Sequence, residues 1–309
     1  MNPVRSILII VDPTTEQQPA VTKGALLAQR FGAKLELFLC DTKASREARM
    51  TAQARVRQRG PLQSVETILE SLAAPLRQQG LEVTTQTQCA DPLYAALAER
   101  AKNCTADLVV KDTHHHSVAR RTFLTNTDWQ LIRACPVPLL LTKARPWTQV
   151  PQVFAAIDPG HVNDKPGLLD EQIVEYAAAL SKRLDGRLHL LHAYVPTAVA
   201  SAAAAAAVVP SVLVEDLVKE EQAIQSEIAE LATRFEVAMA CTHLEAGGPT
   251  EVLPRLAGTL RADIMVLGAI SRSSLQRAFI GSTAEDVLEY LPCDMLIIKP
   301  PNFADLLPF

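Results

Sequence analysis

Short apolar runs separated by longer stretches of helical period recur along the chain. Ile7 to Val11, Lys34 to Leu39, Leu81 to Thr87, Asp107 to Lys111 and Pro138 to Thr142 read as strands. So do Val153 to Ile157, Arg187 to His192, Val237 to Leu244, Asp263 to Leu267 and Asp294 to Lys299. Between them, apolar spacing of three and four residues predicts helices over Gln17 to Phe31, Gly60 to Gln79, Pro92 to Asn103 and Asp128 to Ala134. The same spacing predicts Leu168 to Leu184, Val212 to Phe235, Pro249 to Leu260 and Thr283 to Leu291. Near-continuous apolar strands alternating with helices mark βαβ units and a parallel sheet buried on both faces. The expected fold class is α/β, with right-handed crossovers winding the strands into doubly wound, Rossmann-like sandwiches.

The pattern occurs twice. Sliding residues 107–143 onto 263–299, a shift of 156 without a gap, yields nine identical pairs, among them Asp107 with Asp263, Val110 with Val266, Leu140 with Leu296 and Lys143 with Lys299. Chance would supply about two in such a window. Near the N-terminus the run Ile7 to Pro13 aligns with the run ending Ile157-Asp158-Pro159 at a shift of 146, and both close on Asp-Pro. The second copy therefore carries a net ten extra residues, which the alanine-rich run Ala198 to Val209 accommodates. Arg145-Pro146-Trp147 and Pro151 break both helix and strand, so the expected domains are 1–145 and 151–301.

Composition narrows the classes of function. The 309 residues are 48% apolar and 21% charged, enough for two buried cores. Thirty Lys and Arg oppose 34 Asp and Glu, a net charge of -4 that argues against nucleic acid as a partner. No apolar run approaches the roughly 20 residues that cross a bilayer, and Met1 to Ser6 lacks the layout of a secretion signal. A cytoplasmic location is expected. Six scattered cysteines with no C-x-x-C pair read as free thiols, several packed as small hydrophobes, such as Cys40 after Leu37-Phe38-Leu39.

Parallel sheets bind ligands beyond the carboxyl ends of their strands, where the strand order reverses. In the second copy those ends are Asp158, His192-Ala193 and Leu267-Gly268, followed by Ser271-Arg272 and then Gly281-Ser282-Thr283 at the start of a helix. Ser282 and Glu285 have capping-box spacing, and free amides at a helix start attract phosphate. Gly281 allows a ligand to approach the backbone and Gly268 lets the chain turn sharply off its strand, although both also serve as plain turn residues and Ser282 as a plain cap.

The repeated unit resembles the universal stress protein family in its tandem two-domain form, over essentially the whole chain. The most specific match is the family's nucleotide pattern of glycine, two residues, glycine, nine residues, then glycine with serine or threonine. Gly268, Ser271, Gly281 and Ser282 keep that spacing, with serine at the middle glycine, where a side chain crowds the phosphates. The resemblance implies an ATP or other adenine-nucleotide site at Asp158, Ala193, Leu267, Gly268, Ser271, Arg272, Gly281, Ser282 and Thr283. The first copy has Asp112, His115, Thr125 and Asn126 in place of Gly268, Ser271, Gly281 and Ser282, and an acid at 112 repels phosphate. Leu139-Leu140-Leu141 and Leu296-Ile297-Ile298 are too apolar for bare sheet edges. In family dimers these strands meet, so the resemblance implies an internal pseudo-dimer and leaves open a homodimer of whole chains.

No hydrolase elbow, zinc-protease helix or complete phosphate loop occurs, so the chain is expected not to be an enzyme, and no residue is assigned a catalytic role. The expected role is a stress-response binding module for a nucleotide or small ligand, with protein partners. An alternative is a carrier of an apolar metabolite, or a metal-binding protein using the His114-His115-His116 loop with Asp112 or Asp12; a scaffold without ligand is a third. His189 and His192 flank a strand and read as packing or edge residues. Lys43 to Arg59 is a basic stretch, and Thr197 to Pro210 reads as a flap over the second cleft or a lining for a greasy ligand.

Overall fold

The computed structural model describes residues 4–41, 47, 50, 64–113, 124–159, 169–196, 212–268 and 287–300. Ten strands follow one another along the chain: β1 (Ser6–Ile10), β2 (Lys34–Cys40), β3 (Val83–Gln88), β4 (Leu108–Asp112), β5 (Leu139–Thr142), β6 (Gln152–Ala156), β7 (Arg187–Tyr194), β8 (Thr242–Ala246), β9 (Ile264–Gly268) and β10 (Asp294–Ile298). The helices are α1 (Pro19–Phe31), α2 (Val65–Gln78), α3 (Leu93–Asn103), α4 (Asn126–Ala134), α5 (Leu169–Arg183), α6 (Val212–Arg234) and α7 (Pro249–Thr259), with a further helical turn at 287–290. The α/β class is as expected, and helices and parallel strands alternate in both copies. The chain divides into two compact units, Asn2–Pro146 with Asp294–Phe309, and Trp147–Cys293.

In the first unit the sheet runs β3-β2-β1-β4-β5-β10, with β1 to β5 parallel and β10 antiparallel to β5. Ile7, Leu8, Ile9, Leu37, Phe38 and Leu39 are sealed from solvent, which is why these strands read as unbroken apolar runs rather than alternating ones. Gly32, at φ 67°, ends α1 in the left-handed conformation and turns its N–H back to Ala28 O. In the second unit the order is β8-β7-β6-β9, all parallel.

Of the boundaries that differ from the sequence reading, two have a clear local cause. The segment expected as one strand from Val237 to Leu244 first makes a 3-10 turn at Met239–Cys241, closed by Cys241 N donating to Ala238 O at 2.7 Å, and enters β8 only at Thr242. Helix α4 starts at Asn126 rather than Asp128 because Thr125 is its cap. Asp128 N donates to Thr125 Oγ1 at 3.2 Å while Asp128 Oδ2 accepts from Thr125 N at 2.8 Å.

Several repeat identities have structural causes. Asp107 accepts from Arg5 N (2.8 Å) and Ser6 N (3.0 Å) at the start of β1. Asp263 does the same for Gln152 N (2.9 Å) at the start of β6 and also holds Thr148. Leu140 and Leu296 face each other in the antiparallel β5–β10 ladder, so the two apolar fifth strands cover one another's exposed edge. By its contacts β10 thus groups with the first unit although it is the last strand of the second copy.

A buried ion pair fixes β10 there. Lys23 Nζ, from α1, lies 2.7 Å from Asp294 Oδ2 and also donates to Lys143 O at 2.8 Å, while Asp294 Oδ1 accepts from Lys143 N at 2.8 Å. Both side chains are buried. Farther along β10's exit, the buried Lys299 Nζ donates to Ile132 O, and burial pulls its pKa down to about 8. Of the six free thiols, Cys40, Cys135, Cys241 and Cys293 are buried, and burial pushes Cys135 up to about 11, which fits packing rather than reactivity.

On one face of the second unit's sheet, Phe154, His189 and His243 stack across β6, β7 and β8, with the Phe154 and His189 ring centroids 4.3 Å apart. His189 bridges Gln152 Oε1 and His243, each at 3.0 Å. Strand register places Glu36 at the matching position of the first unit, where it forms a two-pronged pair with Arg100 at 2.6 Å per contact. Burial, with smaller contributions from His243 and Arg187, lowers the His189 pKa to about 4.

Two predictions follow from these buried charges and rings. Asp294→Ala strands the Lys23 ammonium in the interior and lowers the urea-unfolding free energy by about 3–5 kcal/mol, whereas Lys23→Met with Asp294→Leu restores most of it. His189 is protonated more readily unfolded than folded, so its stabilisation is complete above about pH 6.5 and is lost as pH falls towards 4. Urea midpoints measured across that interval decline by an equivalent of about 2 kcal/mol, and His189→Phe flattens the decline.

Candidate ligand site at the carboxyl edge of the second unit

Strand β6 lies between β7 and β9, so the strand order reverses at it. Ala156 pairs with Leu191 and Ala155 with Val266, and all three strands run the same way. Their carboxyl ends therefore present Asp158, Ala193, Leu267 and Gly268 along one edge. These are four of the nine residues expected at the site. Ser271, Arg272, Gly281, Ser282 and Thr283 lie outside the described residues, as do the His114 to His116 loop, Lys43 to Arg46, Arg55 to Arg59 and the run Thr197 to Pro210.

The edge is anchored from both sides of one peptide. Ile157 N donates to Leu191 O at 3.0 Å, continuing the β6–β7 ladder one step past the strand. Ile157 O accepts from His192 Nδ1 at 2.9 Å. The next residue, Asp158, donates its N–H to Asp170 Oδ1 in the first turn of α5 at 3.3 Å, and its carboxylate is 41% exposed. The carboxylate faces solvent on a backbone held by three hydrogen bonds. Its Oδ1 is 3.9 Å from His192 Nδ1. His192 is 2% exposed, so the expectation of a packing role holds for its burial but misses the polar contact. Its partner is 35 residues away in sequence, and no local pattern marks it.

Gly268 has a packing cause in addition to the sharp turn expected from sequence. A Cβ there would stand 2.7 Å from Leu169 Cδ2 and 3.1 Å from Ile173 Cδ1, two core residues of α5. The helix start that follows β6 can lie directly on the end of β9 only because position 268 has no side chain.

The first unit closes the same edge with carboxylates. Asp112, at the position of Gly268, folds inward, and its Oδ1 accepts from Ala20 N in the first turn of α1 (2.6 Å) and from Thr142 Oγ1 (2.7 Å). Asp112 Oδ2 is buried without a hydrogen-bond partner. At the start of α4, Asp128 is committed to Thr125 and its Oδ1 lies 2.7 Å from Lys111 Nζ. One amide in the first turn of α1, Ala20 N, is thus answered by Asp112, and the N-cap amide of α4, Thr125 N, by Asp128. Asp12, the counterpart of Asp158, is bound locally, its Oδ1 accepting from Thr14 N (2.8 Å) and Thr14 Oγ1 (2.6 Å). No group of three or more His, Cys, Asp or Glu side chains able to hold a metal occurs among the described residues, and none of their helices is long and apolar enough to cross a membrane.

Burial raises the Asp112 pKa to about 6, against the hydrogen bonds from Thr142 and Ala20 that favour its charge. The folded value exceeds the unfolded one, so the stability linked to Asp112 is greatest below about pH 4 and is lost as pH rises through 6. Asp112→Asn keeps the acceptor and removes the buried charge. Thermal or urea unfolding at pH 7 to 8 should show it more stable than the parent by about 1–2 kcal/mol, with no advantage near pH 4.

Residues 3–143 and 168–299 each match the universal stress protein family. The chain is 29% identical to universal stress protein E of Escherichia coli strain K12, with 97% of this chain and 95% of that protein aligned. The protein of the same name from Salmonella typhi is 29% identical over the same shares. A crystal structure of a functionally unknown protein from Pseudomonas aeruginosa PAO1 matches with a TM-score of 0.77 and 25% identity, covering 98% of this chain and 95% of that one. A universal stress protein from Archaeoglobus fulgidus has the same fold, with a TM-score of 0.64 at 15% identity over 96% of this chain. Two family segments spanning most of the chain, each with parallel strands whose order reverses, at β1 in the first unit and at β6 in the second, make this protein a member of the universal stress protein family.

Proposed function

We propose that the chain is a non-enzymatic stress-response module that binds an adenine nucleotide in its second repeat and none in its first. The observation that carries this reading is the contrast between the two strand-end edges. Asp158 stands half-exposed beside a side-chain-free Gly268, whereas in the first repeat Asp112 fills the equivalent position and answers a helix-start amide itself. Asp158 would accept a hydrogen bond from a ribose hydroxyl or the adenine amino group. By the family resemblance, Arg272 and the helix start at Gly281 to Thr283 would take the phosphates, with Ser271 narrowing the space for them. The module works in the cytoplasm, leaves the nucleotide chemically unchanged and passes its occupancy to protein partners.

Titration calorimetry of the full chain with ATP and ADP tests this. The expected result is one site per chain at submillimolar to millimolar ligand, weakened about tenfold by Asp158→Ala and unchanged by Asp12→Ala. No heat of association at millimolar nucleotide removes adenine nucleotides from the function.

A further inference from the structure

The two repeats hold the peptide after their first strand differently, and the difference falls on one residue. In both, the N–H following β1 or β6 donates to the neighbouring strand: Val11 N to Phe38 O at 2.9 Å, and Ile157 N to Leu191 O at 3.0 Å. The residue after the acceptor is Leu39 in the first repeat and His192 in the second. Leu39 has no polar atom to offer. His192 donates Nδ1–H to Ile157 O, the carbonyl of the peptide whose nitrogen belongs to Asp158. Because a carbonyl only accepts, Nδ1 must carry the proton, whatever the state of the rest of the ring.

We infer that His192 is a positioning residue for Asp158, present in the repeat whose strand-end edge carries Gly268 and replaced by leucine in the repeat whose edge carries the buried Asp112. It acts on the backbone and not as a ligand: the ring is buried, and Nδ1 is 3.9 Å from Asp158 Oδ1, too long for a direct hydrogen bond. Restricting rotation of the Ile157–Asp158 peptide limits the directions in which the exposed carboxylate can point. A ligand then meets an acceptor already oriented and loses less freedom on binding. The assignment rests on the nucleotide reading for its consequence but not for its geometry.

The test uses the full chain, three single variants at position 192 or 158 and the double variant that combines His192→Leu with Asp158→Ala. His192→Leu installs the first repeat's residue, and His192→Asn keeps an N–H donor near the place of Nδ1. Amide hydrogen exchange is the readout that needs no ligand. The Asp158 amide should exchange at least tenfold faster in His192→Leu, with the amides of β8 unchanged, and should return most of the way towards the parent rate in His192→Asn. In calorimetry with ATP, His192→Leu should weaken binding about tenfold in the parent and leave it unaltered in the Asp158→Ala background. Unchanged exchange at Asp158 overturns the assignment regardless of ATP. Equal losses in the parent and Asp158→Ala backgrounds overturn it too, since His192 would then act independently of Asp158. If the exchange result holds but the parent does not bind ATP, the positioning stands and the nucleotide reading falls.

Discussion

Everything in this protein follows from burying parallel strands on both faces. A strand such as β1 or β6, with a neighbour on each side and helices above and below, has no free side-chain face and no free edge. Its only unclaimed surroundings are at its ends. The carboxyl ends of β6, β7 and β9 therefore bring Asp158, Ala193, Leu267 and Gly268 to one edge, while the amino ends are closed by structural carboxylates. Asp107 and Asp263 show the second half of that division, each accepting from amides where the first strand of its repeat begins.

Given that frame, the two repeats diverge through few substitutions. Glycine at 268 lets α5 rest on the end of β9, and Asp158 stays at the edge with its carboxylate outward. Aspartate at 112 turns inward, caps α1 and raises its own pKa by entering the protein. The same backbone thus carries a half-exposed carboxylate beside a glycine in one repeat and a buried carboxylate in the other. The repeats also hold opposite polar devices at one sheet position, an ion pair of Glu36 with Arg100 against neutral rings of His189 and His243. Elsewhere in the two units Asp112 and His189 respond to acid in opposite senses, the first being a buried acid relieved by protonation and the second a buried imidazole opposed to it.

Strand β10 illustrates how a charge can decide which unit an element joins. Its apolar residues would pack on many surfaces, and hydrophobic burial alone does not discriminate among them. Asp294 does, because in the interior it requires a cation, and Lys23 with the Lys143 peptide supplies the partners at 2.7 and 2.8 Å. A buried pair of this kind adds little net stability over well-packed apolar residues, but a misplaced β10 would leave both charges unanswered. The antiparallel match of Leu140 to Leu296 then brings equivalent residues of the two copies together.

Sequence alone determined the duplication, the α/β class, nearly every strand and helix, and the acids and glycine at the strand ends, because these depend on apolar spacing and local turn chemistry over ten or so residues. Even there the ends slipped where a side chain closed on its own backbone, as Thr125 does at α4 and the turn at Met239–Cys241 does before β8. Only the tertiary structure decided what the strand-end residues do. His192 finds its carbonyl 35 residues away, His189 its histidine partner 54 away, and Asp112 the amide of Ala20 92 away. Leucine or histidine at position 192 preserves the strand pattern equally well, and aspartate or glycine as the last residue of β4 or β9 ends a strand equally well. Their difference lies in which distant donor or helix the fold brings against them, a relation that exists only once the sheet has assembled.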